Sequence, residues 1–317
     1  MIRLRLIVFF CIWSVLLHAQ VKVIFDTDIG SDCDDAGAMA VLHRLADEGE
    51  LTILGTIFSS NANPYGIGVC AAINTYYGRP NVPLAQLHAV DTIGDPQDSY
   101  SKAIASDTET YGHAVVNSGP ALVQTYKKLL SGQEDKSVTI VSVGHPVGLY
   151  HLINDPEGKR LVTAKVVKWI AMTHTDTVPA NDWNFGKNGA APYLKAVLAN
   201  WPTDVYFSGA GKDIITGNKK LPLVEDGNPV KEAYRLWGDN ALVNGRSSWD
   251  QVAVLFAARP EYFDVQRGAL SQNDALETKW EPGTTRRPAH FKIIPNRQND
   301  EMAKIIEDLM SASPFGE

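Results

Sequence analysis

Cysteine is scarce in this chain. Three occur in 317 residues, and one of them, Cys11, sits inside the amino-terminal apolar run. The remaining pair, Cys33 and Cys70, makes no disulfide framework for a chain this long, and both are expected as free, mostly buried thiols. A surplus of positive charge is also missing: 29 Lys and Arg stand against 36 Asp and Glu, a net charge of −7. That balance lacks the basic footprint that binding a nucleic acid polymer requires. No repeat, low-complexity tract or linker interrupts the chain, so one domain is expected over residues 21–315. Beyond residue 20 no apolar run approaches the roughly 20 residues of a membrane span, so no membrane segment is expected in the mature chain.

The first residues differ from the rest. Arg3 and Arg5 precede a nearly unbroken apolar stretch from Leu6 to Leu17, and Ala19 offers a small residue before Gln20. This pattern reads as a signal peptide over residues 1–19, removed on export to the periplasm or the outside of the cell. The remainder has ordinary globular composition, with 44% apolar and 21% charged residues, enough for a large core.

Hydrophobic periodicity then alternates. Val21–Phe25 and Leu51–Phe58 are strand-like, while Ala36–Ala46 and Ile67–Tyr77 carry helical spacing. The alternation continues through a helix at 121–130, a strand at 137–143, a helix at 145–153 and strands at 165–172 and 204–208. Helices at 230–242 and 249–257, a strand at 290–294 and a helix at 300–310 complete it. The stretches 91–119 and 174–187 read as long polar loops, which are usually functional in a compact domain. Strand–loop–helix alternation predicts an α/β fold: an open, mainly parallel, Rossmann-like sheet flanked by helices in a single domain. Ligands in such sheets bind beyond the carboxyl ends of the strands. That rule selects the loops after Phe25, Phe58, Val143 and Met172.

The first of these loops is dense in acid. Asp26, Asp28, Asp32, Asp34 and Asp35 fall within ten residues, with no basic residue near in sequence. Two such charges about 4 Å apart repel by roughly 4 kcal/mol at an effective dielectric of 20. Their concentration calls for a compensating cation or raised pKa values. An all-oxygen donor set suits a hard ion, Ca²⁺ above all. Individually, Asp32, Asp34 or Asp35 could cap the helix that follows.

The segment Asp26-Thr27-Asp28-Ile29-Gly30-Ser31-Asp32-Cys33-Asp34-Asp35-Ala36 resembles the amino-terminal fingerprint of the inosine-uridine preferring nucleoside hydrolase family, D-x-D-P-G-x-D-D-A. Ile29 replaces the proline, and two extra residues precede Asp34-Asp35-Ala36. The resemblance implies a calcium-dependent enzyme that hydrolyses the N-glycosidic bond of ribonucleosides to ribose and free base. It implies Asp28 and Asp35 as metal ligands and Asp34 as the base that activates water, with Asp32 a competitor for that role. Ser142-Val143-Gly144-His145 is similar to the segment whose backbone carbonyl completes the metal site, which places Val143 there. Ser248-Trp249-Asp250-Gln251-Val252-Ala253-Val254 is similar to the carboxyl-terminal H-D-P-x-A-V, which makes Asp250 the last ligand.

By the same resemblance Asn61, with Asn63 as second choice, touches ribose hydroxyls, and Asp182 and Asn184 grip the 5′ side. Turn chemistry explains Asn in such loops equally well. Trp249 fills the position of the family's histidine. An indole cannot donate a titratable proton to a leaving base, but it can stack on one. A proton donor would then be His113, His145 or His174. Trp183 reads as a packing residue. Homo-oligomers are common in the family, and the implied partner is a small nucleoside.

Two other readings remain open on sequence. Phe25-Asp26-Thr27-Asp28 also fits a haloacid dehalogenase-type phosphatase with Asp26 as nucleophile. The loss of the histidine also fits a protein that binds nucleosides or sugars without cutting them.

Overall fold

The computed structural model describes residues 20–238 and 240–314. The signal segment expected at 1–19, Asp239 and the last residue of the expected domain, 315, lie outside the described residues. Among the described residues there are eleven strands: β1 (Val21–Thr27), β2 (Leu51–Phe58), β3 (Leu84–Gln86), β4 (Val138–Ser142), β5 (Val166–Met172), β6 (Asp204–Ser208), β7 (Ile215–Thr216), β8 (Arg246–Ser247), β9 (Phe263–Gln272), β10 (Thr278–Pro282) and β11 (His290–Pro295). Nine of them form one sheet in the order β10-β9-β11-β6-β5-β4-β1-β2-β3, and β7 pairs with β8 apart from it. From β3 across to β11 every neighbouring pair is parallel, and β9 runs antiparallel to both β11 and β10. The mainly parallel α/β sheet read from the sequence is therefore present.

The central strands read as nearly continuous apolar runs because both faces are covered by helices. All five residues of β4 are buried, as are the last five of β1. One buried cluster gathers the helices Asp34–Asp47, Trp249–Ala258 and Asn299–Met310 on one side of the sheet. The other holds Tyr126, Leu149, Leu161, Trp169 and Leu194 on the opposite side. Among the described residues no helix is long and apolar enough to cross a membrane.

The topology selects one place for a ligand. From β1 the chain proceeds through β2 and β3 toward one edge, then returns so that β4 pairs with the other side of β1. Neighbouring strands whose connections leave in opposite directions open a crevice at their carboxyl ends. Asp28 follows β1 and Val143 follows β4, joined across that gap where the Val143 amide donates to the Asp26 carbonyl at 2.7 Å.

Gly144 is needed at this junction. A Cβ there would sit 2.5 Å from the Asp28 amide nitrogen and 2.7 Å from the Thr27 carbonyl carbon. Backbone cannot retreat as a flexible side chain can. Gly144→Ala is expected to cost about 1–3 kcal/mol by overpacking and to displace Asp28. A denaturant midpoint unchanged from wild type would contradict this.

Several elements depart from the sequence expectation, among them the short strands β3, β7 and β8. The helices Pro156–Lys165 and Ala191–Asn200 and the antiparallel pair β9/β10 were not anticipated. Pro156–Lys165 buries only Gly158, Leu161 and Val162, too few to print a helical period. It is started by Asp155, which accepts from the Gly158 amide at 2.8 Å, followed by Pro156 in the first turn. In β9 the second to fifth residues are exposed, so no apolar alternation marks it. The helix expected over 230–242 is instead two, Pro229–Leu236 and Ala241–Asn244. The loop 91–119 contains short helices at Ser101–Ser106 and Thr108–Tyr111.

Candidate active site

A cavity of about 560 Å³ opens at the predicted crevice. Asp28, Asp32, Asp34, Asp35, Val143, Asp182, Asn184, Trp249 and Asp250 all line it. Four segments far apart in sequence supply them. Asp28 and Asp32 belong to the turn after β1, and Asp34 and Asp35 open the helix Asp34–Asp47. Val143 directly follows β4, and Trp249 and Asp250 open the helix Trp249–Ala258. Two helix amino termini thus carry the acids, where the helix dipole favours negative charge.

The acids are packed closely. Asp32, Asp34 and Asp35 each place an oxygen within 4.8 Å of the others. Each is partly tied by a hydrogen bond. Thr27 Oγ1 donates to Asp35 Oδ1. His145 Nε2 lies 3.0 Å from Asp28 Oδ2, and its Nδ1 lies 3.0 Å from the Asn184 carbonyl. An acceptor therefore faces each ring nitrogen of His145. Asp28 and the Asn184 backbone raise its pKa against the opposing effect of burial. Asn184 Nδ2 donates to the Val143 carbonyl at 2.6 Å, which leaves that oxygen a second lone pair.

Burial first, and mutual repulsion next, push the Asp35 and Asp250 carboxyls well above their ordinary range. Burial and Asp34 raise Asp32 to about 7. Burial raises Asp34 also, against the pull of Arg246. Such a group either takes up protons or holds a cation. Asp32, Asp34 and Asp35 are the acids brought within metal-holding distance of one another; Asp28, Asp250 and Val143 line the same cavity, and such an oxygen-rich donor set suits a hard divalent ion.

Asp182 caps the turn Trp183–Gly186, accepting from the Phe185 amide and the His174 amide, each at 2.7 Å. The aspartate therefore fixes the loop while lining the cavity. Trp183 is 43% exposed at the rim, so it is not the packing residue expected from sequence.

Asn61 and Asn63 are placed elsewhere. Neither lines the cavity. Asn61 ties the loop, donating to the Ala89 and Asp91 carbonyls at 3.2 and 3.0 Å and accepting from the Ile93 amide at 2.7 Å. Asn63 donates to Ser101 Oγ at 2.8 Å and accepts from the Tyr65 amide at 3.0 Å. Both spend their amides on the polar loop that follows. Turn chemistry accounts for these bonds, and the ribose contact expected of the pair is not among them.

Among the three histidines considered as proton donors, only His174 lines the cavity. His145 is fully buried behind Asp28, and His113 is bound to the Val115 carbonyl at 2.7 Å.

Asp26 turns away from the cluster. It is fully buried, does not line the cavity and accepts from Tyr126 OH at 2.7 Å. Burial drives its pKa up to about 7. A phosphatase nucleophile has to meet its substrate, and no lysine lines the cavity among the described residues. The dehalogenase-type reading therefore fails. Asp26→Asn is expected to leave turnover within about tenfold of wild type, since it removes no group that touches substrate.

Arg246 was missed by sequence reading. It lies four residues before Asp250, far from the acidic turn in sequence, yet its guanidinium reaches Asp34 and Asp32. The only available signal was its place on the segment that leads into Asp250.

Together these features define an α/β protein with an acidic, oxygen-rich pocket at the switch point of its sheet, and the fold is that of the nucleoside hydrolases. No family model and no curated protein matches the sequence. Among solved structures, the inosine-uridine preferring nucleoside hydrolase from Bacillus anthracis superposes with a TM-score of 0.69 at 13% identity, covering 92% of this chain and 99% of that one. The plant nucleoside hydrolase PpNRh1 gives 0.67 at 15% identity, covering 93% and 100%. The type III effector protein XopQ, solved with adenosine diphosphate ribose, gives 0.66 at 12% identity, covering 93% of each chain.

Proposed function

We propose that this chain hydrolyses the N-glycosidic bond of ribonucleosides with the aid of one Ca²⁺ ion, acting outside the cytoplasm after export. The observation that carries this reading is the meeting of Asp28, Asp34, Asp35, Asp250 and the Val143 carbonyl around one cavity at the switch point. Solved structures that share the fold include nucleoside hydrolases, and the arginine-poor, phosphate-averse pocket suits a neutral substrate. Asp28, Asp35, Asp250 and Val143 would hold the ion, which when bound lowers the pKa of water and orients ribose hydroxyls.

The remaining chemistry belongs to the side chains. Asp34 accepts a proton from the water that attacks the anomeric carbon. The C–N bond breaks with its electron pair going to the base. The surrounding carboxylates favour the oxocarbenium-like charge that develops on the sugar. Trp249, half-buried at the start of its helix, offers a face to the departing base, and His174 is within the same cavity to supply a proton.

A reducing-sugar assay over a panel of purine and pyrimidine ribonucleosides tests the reading. Ribose should appear in equal amount with free base in calcium and stop on chelation. Trp249→Ala should lower kcat/KM by roughly 5- to 150-fold, the equivalent of about 1–3 kcal/mol of base stacking. An unchanged kcat/KM would remove Trp249 from the base site.

A second reading is favoured by one observation: Trp249 stands where a proton-donating histidine is expected, on a fold shared with an effector protein. On that reading the pocket binds a nucleoside or ribosyl group without turnover. Micromolar binding with no ribose release across the panel would support it.

A further inference from the structure

Eight aspartates line the cavity, and five of them, Asp28, Asp32, Asp34, Asp35 and Asp250, come from the turn after β1 and the two helix starts. That is more charge than one divalent ion balances, and comparable acid density elsewhere supports pairs of ions about 3.5–4 Å apart. Arg246 enters the same space from β8. Its Nη2 donates to Asp32 Oδ2 at 2.7 Å and its Nε to Asp34 Oδ1 at 3.1 Å. The guanidinium carbon lies 4.8 Å from the centre of the Trp237 ring, which fixes the fork from behind. It is the one Arg or Lys lining the cavity among the described residues. A planar fork can hold two carboxylates at once; an ammonium is a point charge and holds them without fixing their angle.

We propose that Arg246 stands in for a second cation: it ties Asp32 and Asp34 into one bridge and thereby reserves Asp28, Asp35 and Asp250 for a single divalent ion. The consequence for turnover rests on the hydrolase reading above. With Oδ1 of Asp34 held by Arg246, Oδ2 is the oxygen left to take a proton. Asp32, engaged by the same fork and more exposed at 29% of its side chain, becomes the counter-ion instead of the base. Arg246 is thus a positioning residue that settles which of the two acids reacts.

Calcium titration by calorimetry, without substrate, tests the charge assignment. The wild-type chain should take one ion. Arg246→Gln should bind that ion about tenfold or more tightly, or admit a second one, because a unit positive charge has left the site. Asp32→Asn combined with Arg246→Gln should return affinity to within about threefold of wild type, as the two charge changes cancel. Affinity and stoichiometry unchanged or weakened in Arg246→Gln would overturn the proposal.

Arg246→Lys keeps the charge and guards against a misfolded Gln variant. It should leave calcium affinity within about threefold, while kcat falls about tenfold or more at nearly constant KM. Full kcat in Arg246→Lys would also overturn it. A wild-type chain that releases no ribose would instead defeat the hydrolase reading while leaving the titrations readable.

Discussion

Asp34→Asn is expected to lower kcat on a ribonucleoside by about 10²–10⁴-fold, the range for loss of a positioned general base, with KM changed little. The residue is 2% exposed, opens its helix and lines the cavity beside Asp35. The amide keeps its shape and can still accept from Arg246, so the loss isolates proton transfer. The measurement is steady-state kinetics with calcium saturating. Retention of wild-type kcat would transfer the role to Asp32 or remove the mechanism. Asp32→Asn should be milder, because Asp32 is engaged as a counter-ion to Arg246.

The second large effect is on the ion and on pH. Asp35 and Asp250 are raised well above the ordinary carboxylate range and Asp32 to about 7, chiefly by burial. In the ion-free chain the folded state keeps protons that the unfolded chain has already released. The contribution of these acids to stability is therefore complete below about pH 4; that of Asp32 is lost as the pH rises through about 7, and those of Asp35 and Asp250 as it rises through their own raised values. A bound divalent ion reverses the sign, since it favours the ionised form and displaces the protons. Calcium should raise the melting temperature more at about pH 8 than at about pH 5. At about a hundred times its Kd the stabilisation approaches roughly 2.7 kcal/mol. Melting curves with calcium and with chelator at both pH values check this. A shift equal at both, or larger in acid, would contradict the cluster as the seat of the ion.

Much of this site was legible from local pattern. The acidic turn, the strand ends and the helix-opening Asp250 each announce themselves within a few residues, since strands and helix starts carry strong local signals. The parallel sheet followed from strand–helix alternation, and its switch point then gathered Asp28, Val143 and Asp250 as the sheet-end rule requires. What stayed hidden was long-range. Arg246 meets Asp32 across 214 residues, and no periodicity reports a pairing of that kind. Asn61 and Asn63 looked like ligand residues because side-chain amides serve loops and sugars alike; only the Ile93 and Tyr65 amides reveal which use applies here. The exposed middle of β9 and the thinly buried helix at Pro156–Lys165 lack the periodic apolar face on which recognition depends.

Calcium titration of the wild-type chain beside Asp28→Asn, Asp35→Asn and Asp250→Asn is the most direct test of the shared ion. On the proposed ligand set, each substitution removes one donor from the ion. One ion should bind per wild-type chain, and each variant should lose about tenfold or more in affinity. Asp26→Asn, whose carboxylate faces Tyr126 instead, should bind as the wild type does. A wild-type chain that takes up no divalent ion, or variants that bind it undiminished, would contradict the account.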